Sequence, residues 1–341
     1  MSTSKTTRRK SEQARQAEQE IIKILKERHH TLLNKNKNKR GIAFSDYTDI
    51  SIRDKNLTIH IAHNNTVNKY PVAEEVQTDG AAFEGWAICL KSWLPDKVDK
   101  VLLTWDKPPI KNGHYNRFLY RVWRFKEMYN WFEYDETDGD IEAFKNEFEG
   151  SRNNSANKEG TRKEKGCEEQ VEYDMVKHNQ QAFINWFNLK SLHRHLPVGI
   201  KKKDGSSLFT GRNSAIDLWG IGYNNVLHIF ELKYITDSKK AKNIKVGIIS
   251  ELLLYINIMN DIRQNIINTP QAKLEGEKEL YTQINNLTGV KGIFLTNELH
   301  PLLENKDDIL CLLNDNNKKI SFAFADYNWD NRTNKVYFKC I

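Results

Sequence analysis

The segment SAIDLWGIGYNNVLHIFELKYI, Ser214 to Ile235, holds the residues best suited to chemistry in this chain. Side chains alternate along a strand, so Leu227, Ile229, Glu231 and Lys233 share one face, an acid and an amine ending an otherwise apolar row. If a hairpin is centred on Asn224, Asp217 stands opposite Glu231, because each is seven positions from that centre. Facing residues on adjacent strands have Cβ atoms about 4.5–5.5 Å apart. Two carboxylates at that separation repel and lose hydration. A divalent cation with Lys233 beside it resolves the conflict, since Mg2+ sits about 2.0–2.1 Å from its oxygen ligands. The competing expectation is an ion pair of Lys233 with Glu231 or Asp217 at a sheet edge. A bare Glu-x-Lys supports no more than that, as at Glu304-Asn305-Lys306, which lies in a polar stretch without a preceding acidic hairpin.

These residues resemble the core of the PD-(D/E)xK, or restriction-endonuclease-like, nuclease superfamily. Asp217 matches the strand-end Asp, and Glu231-Leu232-Lys233 matches Glu-x-Lys, with Ile216 in the place of the name-giving Pro. The resemblance covers about the C-terminal half and implies an αβββαβ core. It implies an acidic residue from the preceding helix, for which Glu168, Glu169 and Glu172 are candidates. Glu172 is preferred because it sits deeper in that helix. Glu251 and Tyr255 stand at the spacing of the family's Gln-x-x-x-Tyr, with Glu for Gln. Residues four apart share a helix face, so both could point at the site, while ordinary exposure of Glu251 is an equal alternative.

The implied activity is metal-dependent phosphodiester hydrolysis by a DNA endonuclease of restriction or phage-defence type. Mg2+, or Mn2+ in its place, would be held by Asp217, Glu231 and Glu172, and Lys233 would orient water or stabilise developing charge. A fold that keeps nucleic-acid binding without catalysis, or a nuclease gated by a ligand- or protein-sensing N-terminal half, are the other readings. Nucleic acid is the expected partner, with no membrane partner. A homodimer is compatible with the resemblance.

The elements that must position these groups follow from periodicity. Residues 168–189 read as one helix burying Val171, Met175, Phe183, Trp186 and Phe187. Strands follow at 214–221 and 226–235, then a helix at 242–262, a buried strand at 289–296 and a hairpin of 320–327 with 335–339. The core's first strand is weak, with only residues 207–210 available. Phe230 should face away from the site, into the core.

Ahead of this unit, residues 41–149 read as a separate α+β domain. It comprises a hairpin around Asp54-Lys55-Asn56, a helix at 81–93, a strand at 101–105 and a helix over 115–132. Its apolar stripe is Phe118, Val122, Phe125, Tyr129 and Phe132. Arg117, Arg121 and Arg124 form a neighbouring row that either tracks a phosphate backbone or is a solvated helix face. The acidic stretch 133–142 lacks the ligand order of an EF-hand and reads as a loop capping the next helix. Residues 150–166 are almost free of apolar side chains and read as a linker.

Composition bounds the rest. The net charge is +7, and residues 1–40 carry twelve Lys and Arg against four Glu, so this arm accounts for the whole excess. It reads as a basic helical arm, lying on phosphates or simply solvated. The four cysteines are scattered, without Cys-x-x-Cys spacing, which speaks against a zinc ribbon or a disulfide framework. No stretch approaches the ~20 apolar residues of a membrane span. The polar, basic start lacks the apolar run of a secretory signal, and a cytoplasmic protein is expected.

Overall fold

The computed structural model describes residues 8–28, 42, 44–76, 79–135, 139–154, 168–209, 214–234, 246–298, 301–316 and 318–339. The fold is mixed α/β. The chain divides into two compact units: Met1–Phe144 with Lys245–Ser250 and His300–Asn317, and Lys145–Ile244 with Glu251–Leu299 and Lys318–Ile341.

The first unit opens with α1 (Glu12–Arg28). Ser11 Oγ accepts the Ala14 N–H at 3.1 Å, satisfying a donor the first helical turn cannot satisfy itself. Ile21 and Leu25 are buried as the helix packs on β1 (Thr48–Arg53). What is described of the expected basic arm is therefore folded down. Arg8 forks onto Asp49 at 2.8 and 2.7 Å, Lys10 pairs with Glu18, and Arg28 pairs with Asp96. Residues 1–7 and 29–40 of that arm lie outside the described residues.

β1 turns into β2 (Asn56–Ile61) through Asp54 and Lys55, both at positive φ, the two-residue turn whose twist matches the strands. α2 (Phe83–Trp93), β3 (Lys100–Trp105), α3 (Gly113–Met128), β4 (Phe132–Tyr134) and α4 (Asp140–Phe148) follow. The sheet order is β1-β2-β3-β4, with β2, β3 and β4 parallel. The expected helix over 115–132 stops at Met128, and Phe132 starts a strand instead.

In the second unit, β5 (Arg152–Asn153) occupies the start of the expected linker. Buried Asn153 donates to Pro197 O at 3.0 Å and Tyr281 Oη at 2.9 Å, so a polar side chain anchors what composition alone marks as loose. Residues 155–166 of that linker lie outside the described residues. The single helix expected over 168–189 is two, α5 (Glu168–Lys177) and α6 (Gln180–Phe187). Asn179 breaks it: its side chain donates to Asp174 O and Asn334 O and accepts the Val336 N–H. That competition with the helix ladder is typical of Asn. Trp186, expected in the core, is 45% exposed and stacks on Phe338.

The first strand is β6 (His193–Pro197), ahead of the expected residues 207–210, of which Thr210 lies outside the described residues, and it is followed by β7 (Ile200–Lys201), which pairs with β5. β8 (Ala215–Ile221) and β9 (Val226–Lys233) form the hairpin, closed by Gly222–Asn225 with Asn225 at positive φ. α7 (Gly247–Arg263) from Glu251 onward, α8 (Glu275–Gln283), β10 (Gly289–Thr296), β11 (Ile320–Asp330) and β12 (Lys335–Lys339) complete the unit. The six strands run β12-β11-β10-β9-β8-β6, with β9, β10 and β11 parallel.

On one face Phe230 packs edge-on against Phe183 and Phe187, as alternation requires of the residue preceding Glu231. On the other, Gly292 admits α7, because a Cβ there would overlap the Ile256 side chain. This close approach of helix and sheet brings Glu251 to the sheet.

α9 (Lys306–Asn314) belongs to the first unit although it follows β10 in sequence. Trp93 Nε1 donates to Leu302 O at 2.7 Å and Tyr129 Oη donates to Leu313 O at 2.9 Å, both buried. The division into sequential halves, 41–149 and 167–341, therefore does not hold: two later segments complete the earlier unit. Among the described residues no helix is long and apolar enough to cross a membrane.

Candidate active site

The β8–β9 ladder pairs Leu218 with Phe230, and extending that register puts Asp217 opposite Glu231. At this point the hairpin stops bonding through backbone alone. Asp217 Oδ2 accepts the Leu232 N–H at 2.8 Å, which fixes its carboxylate in the gap between Glu231 and Lys233. Glu231 is 1% exposed. Its Oε1 accepts from Lys233 Nζ at 2.5 Å, while Oε2 is buried with no hydrogen-bond donor.

Lys233 is the hub. Besides Glu231, its Nζ lies 3.5 Å from Glu168 Oε1 on α5 and 3.6 Å from Glu251 Oε2 on α7. Glu168 also accepts the Tyr234 N–H at 3.1 Å, and Tyr327 Oη donates to Lys233 O at 3.1 Å, which pins the strand end from both sides. Glu251 is buried and accepts from Tyr255 Oη at 3.1 Å, so the four-residue spacing does turn both toward the same place.

Glu172 lies one turn along α5, buried, with Oε2 accepting from His195 Nε2 at 2.9 Å and Arg194 at 3.1 Å. Glu169 is on the same helix, where its backbone carbonyl accepts from Arg194, but it is not among the groups facing Lys233.

The electrostatics follow from crowding. Burial, reinforced by Glu172 and Glu168, holds the Asp217 carboxyl well above the ordinary carboxylate range, against the pull of Lys233 and the Leu232 N–H. Burial, Asp217 and Glu251 do the same to Glu231. Burial also raises Glu168. Lost hydration acts to lower Lys233, but Glu231, Glu251, Glu168 and Asp217 together outweigh it and hold the ammonium far above its usual range. Tyr255 is raised by burial and by Glu251. A single lysine thus faces four carboxyl groups, and the excess is balanced by protons or by a cation.

These residues fit a divalent ion through their donors. Mg2+ takes carboxylate oxygens, keeps several waters, and often uses only one or two carboxylates. Asp217 and Glu231 supply two from facing strands; Glu231 Oε2 accepts from no donor, and the Glu251 carboxyl lies close to the same group. Among the described residues, no three His, Cys, Asp or Glu side chains already stand at ligand spacing, so a third protein ligand would have to turn inward.

The row Arg117, Arg121 and Arg124 is not part of this site and is not a solvated face. All three are buried. Arg121 forks onto Glu84, which also accepts from Ser250 Oγ at 2.8 Å. Arg124 bonds Glu127 at 2.7 Å and lies 3.6 Å over the Trp123 ring. Arg117 meets His114 Nδ1 at 2.9 Å. Guanidiniums spent on such partners cannot also track a phosphate backbone, so that expectation is corrected.

Sequence reasoning missed Arg194, His195 and Tyr327. The His193-Arg194-His195 run was the available signal, but polar residues ending in a proline do not read as a strand, and so did not announce β6.

No family model matches this chain. No curated protein and no solved structure matches it either.

Proposed function

We propose that this protein is a divalent-metal-dependent nuclease of the PD-(D/E)xK kind, acting as an endonuclease on DNA. The observation that carries the reading is Glu231: a fully buried carboxylate, facing Asp217 across the hairpin, with Lys233 on one oxygen and no donor on the other. Such a group is costly unless something cationic completes it. The order helix, three strands, helix, strand through α5 and α6, β6, β8, β9, α7 and β10 supports the same reading.

Asp217 and Glu231 would hold Mg2+ or Mn2+, with Glu172 as the third acidic group. The ion supplies polarisation of the phosphoryl oxygen and a more acidic bound water. Asp217 is fixed by the Leu232 N–H, which leaves its Oδ1 for the ion. Lys233, held protonated by its neighbours, places a positive charge where the phosphoryl oxygens gain negative charge. Glu251 and Glu168 keep the ammonium at that strand end, and Tyr255 steadies Glu251.

The test is incubation of the purified full chain with supercoiled plasmid, single-stranded DNA and RNA in Mg2+, in Mn2+ and in chelator. Metal-dependent cleavage of DNA that disappears in both Asp217→Ala and Lys233→Ala is the expected result. Equal cleavage by wild type and both variants, or none on any substrate in either metal, sinks the reading.

A further inference from the structure

His195 holds a backbone conformation that stands apart from the rest of the chain. Eight described non-glycine residues have positive φ, and seven of them lie in turns or at helix ends. His195, at φ 55°, is the one inside a strand. Left-handed geometry crowds a Cβ against the backbone, and where it persists inside a regular element the surroundings must over-determine it.

The ladder shows where this happens. β6 pairs Arg194 with Leu218 and Leu196 with Ile216, so the position skipped between them is the one opposite Asp217. His195, Asp217 and Glu231 therefore lie in one row across β6, β8 and β9. Turned out of the ladder, the His195 side chain places Nε2 2.9 Å from Glu172 Oε2. Arg194, its neighbour, puts a guanidinium nitrogen 3.1 Å from the same oxygen. Because His195 stands opposite Asp217 in that row, its bond to Glu172 holds the carboxylate at the Asp217 level of the sheet.

We infer that His195, assisted by Arg194, is a positioning residue for the cation site: it holds Glu172 beside Asp217 as the third acidic group. This rests on the nuclease reading for its purpose but not for its test. Loss of an outer partner of a metal-ligating carboxylate typically costs about 10–100-fold in metal affinity or activity. The strained backbone is what aims the imidazole.

Full-length wild type, His195→Ala, His195→Gly and His195→Gln are compared by calorimetric titration with Mn2+ alone, by melting temperature, and by cleavage. Glycine relieves the backbone and removes the imidazole, so it separates positioning from structure. His195→Gly is expected to melt no lower than wild type while binding Mn2+ about 10-fold or more weakly, and His195→Ala to bind it as weakly. His195→Gln, whose amide nitrogen reaches about as far from the backbone as Nε2 and can donate to Glu172, is expected to recover much of the loss seen in His195→Ala. Wild-type Mn2+ affinity in His195→Gly overturns the inference. So does a fall in affinity that merely follows a fall in melting temperature, or a wild type that binds no Mn2+. A wild type that binds Mn2+ but cleaves nothing fails the nuclease reading alone and leaves the role of His195 standing.

Discussion

Asp217 and Leu232 are joined across the hairpin by a bond from backbone to side chain: the Leu232 N–H donates to Asp217 Oδ2 at 2.8 Å. A donor that would otherwise extend the ladder is spent on orienting a carboxylate, between the two residues of Glu231-Leu232-Lys233 that carry charge. The site is thus built where the β8–β9 pairing gives out, while the β9–β10 ladder continues through Lys233.

Neutral isosteres at the two strand carboxylates should separate chemistry from stability. Asp217→Asn and Glu231→Gln are expected to abolish metal-dependent cleavage. They should hold or raise the melting temperature without metal, because each removes one of several carboxyl groups crowded away from water. A gain of 1 kcal/mol would read as roughly 2–4 °C for a unit of this size. Thermal melts in chelator check it, and a large drop for both variants contradicts it.

Lys233→Ala should behave in the opposite way. It removes the cation shared by Glu231, Glu251 and Glu168, and takes from buried Glu231 its hydrogen-bond donor. A stability loss of about 1–3 kcal/mol is expected from urea unfolding, together with loss of cleavage. The Lys233→Ala, Glu231→Gln double variant should recover part of that loss, because the two positions are coupled.

A pH dependence should come from His228, far along β9 from the strand end. Burial, aided by Lys291, lowers its pKa from 6.5 to about 4, and neither ring nitrogen has a partner. A folded-state pKa below the unfolded one means that the unfolded chain binds the proton first. Stability is therefore intact above pH 6.5 and is lost as the pH falls toward 4, by roughly 3 kcal/mol at full extent. His228→Leu should flatten that part of the curve, measured as the difference from wild type in denaturant midpoints at pH 7.5, 6, 5 and 4.

The buried Arg121–Glu84 pair should matter for folding and not for nucleic acid. Arg121→Ala leaves Glu84 buried without its charge partner, an omission that typically costs about 3–5 kcal/mol. Plasmid binding measured at a temperature where the variant is still folded should match wild type. Weakened binding there would restore the row as a phosphate contact.

Much of this protein can be read from local pattern. Alternation along 226–233 put Glu231 and Lys233 on one face and Phe230 on the other. The Gly222–Asn225 turn placed Asp217 opposite Glu231, because an antiparallel hairpin has only one register once its turn is set. The strand at 289–296 and the hairpin around Asp54 and Lys55 were equally legible, for the same reason: they rest on neighbours in sequence.

What failed depended on partners far away in the chain. Asn179 splits a helix because Val336 and Asn334 offer it a better set of bonds. The Arg117 row is buried because Glu84, Glu127 and His114 receive it, though an arginine every three or four residues looks the same on a solvated helix. β6 escaped notice since strand periodicity needs apolar residues, whereas this strand presents a histidine and an arginine to Glu172. The sequence by itself thus determined which side chains share a face with the Glu-x-Lys. Only the tertiary structure decided which acids from α5 and α7 reach that face, because their approach depends on helix packing over Gly292 and on a backbone turned left-handed at His195.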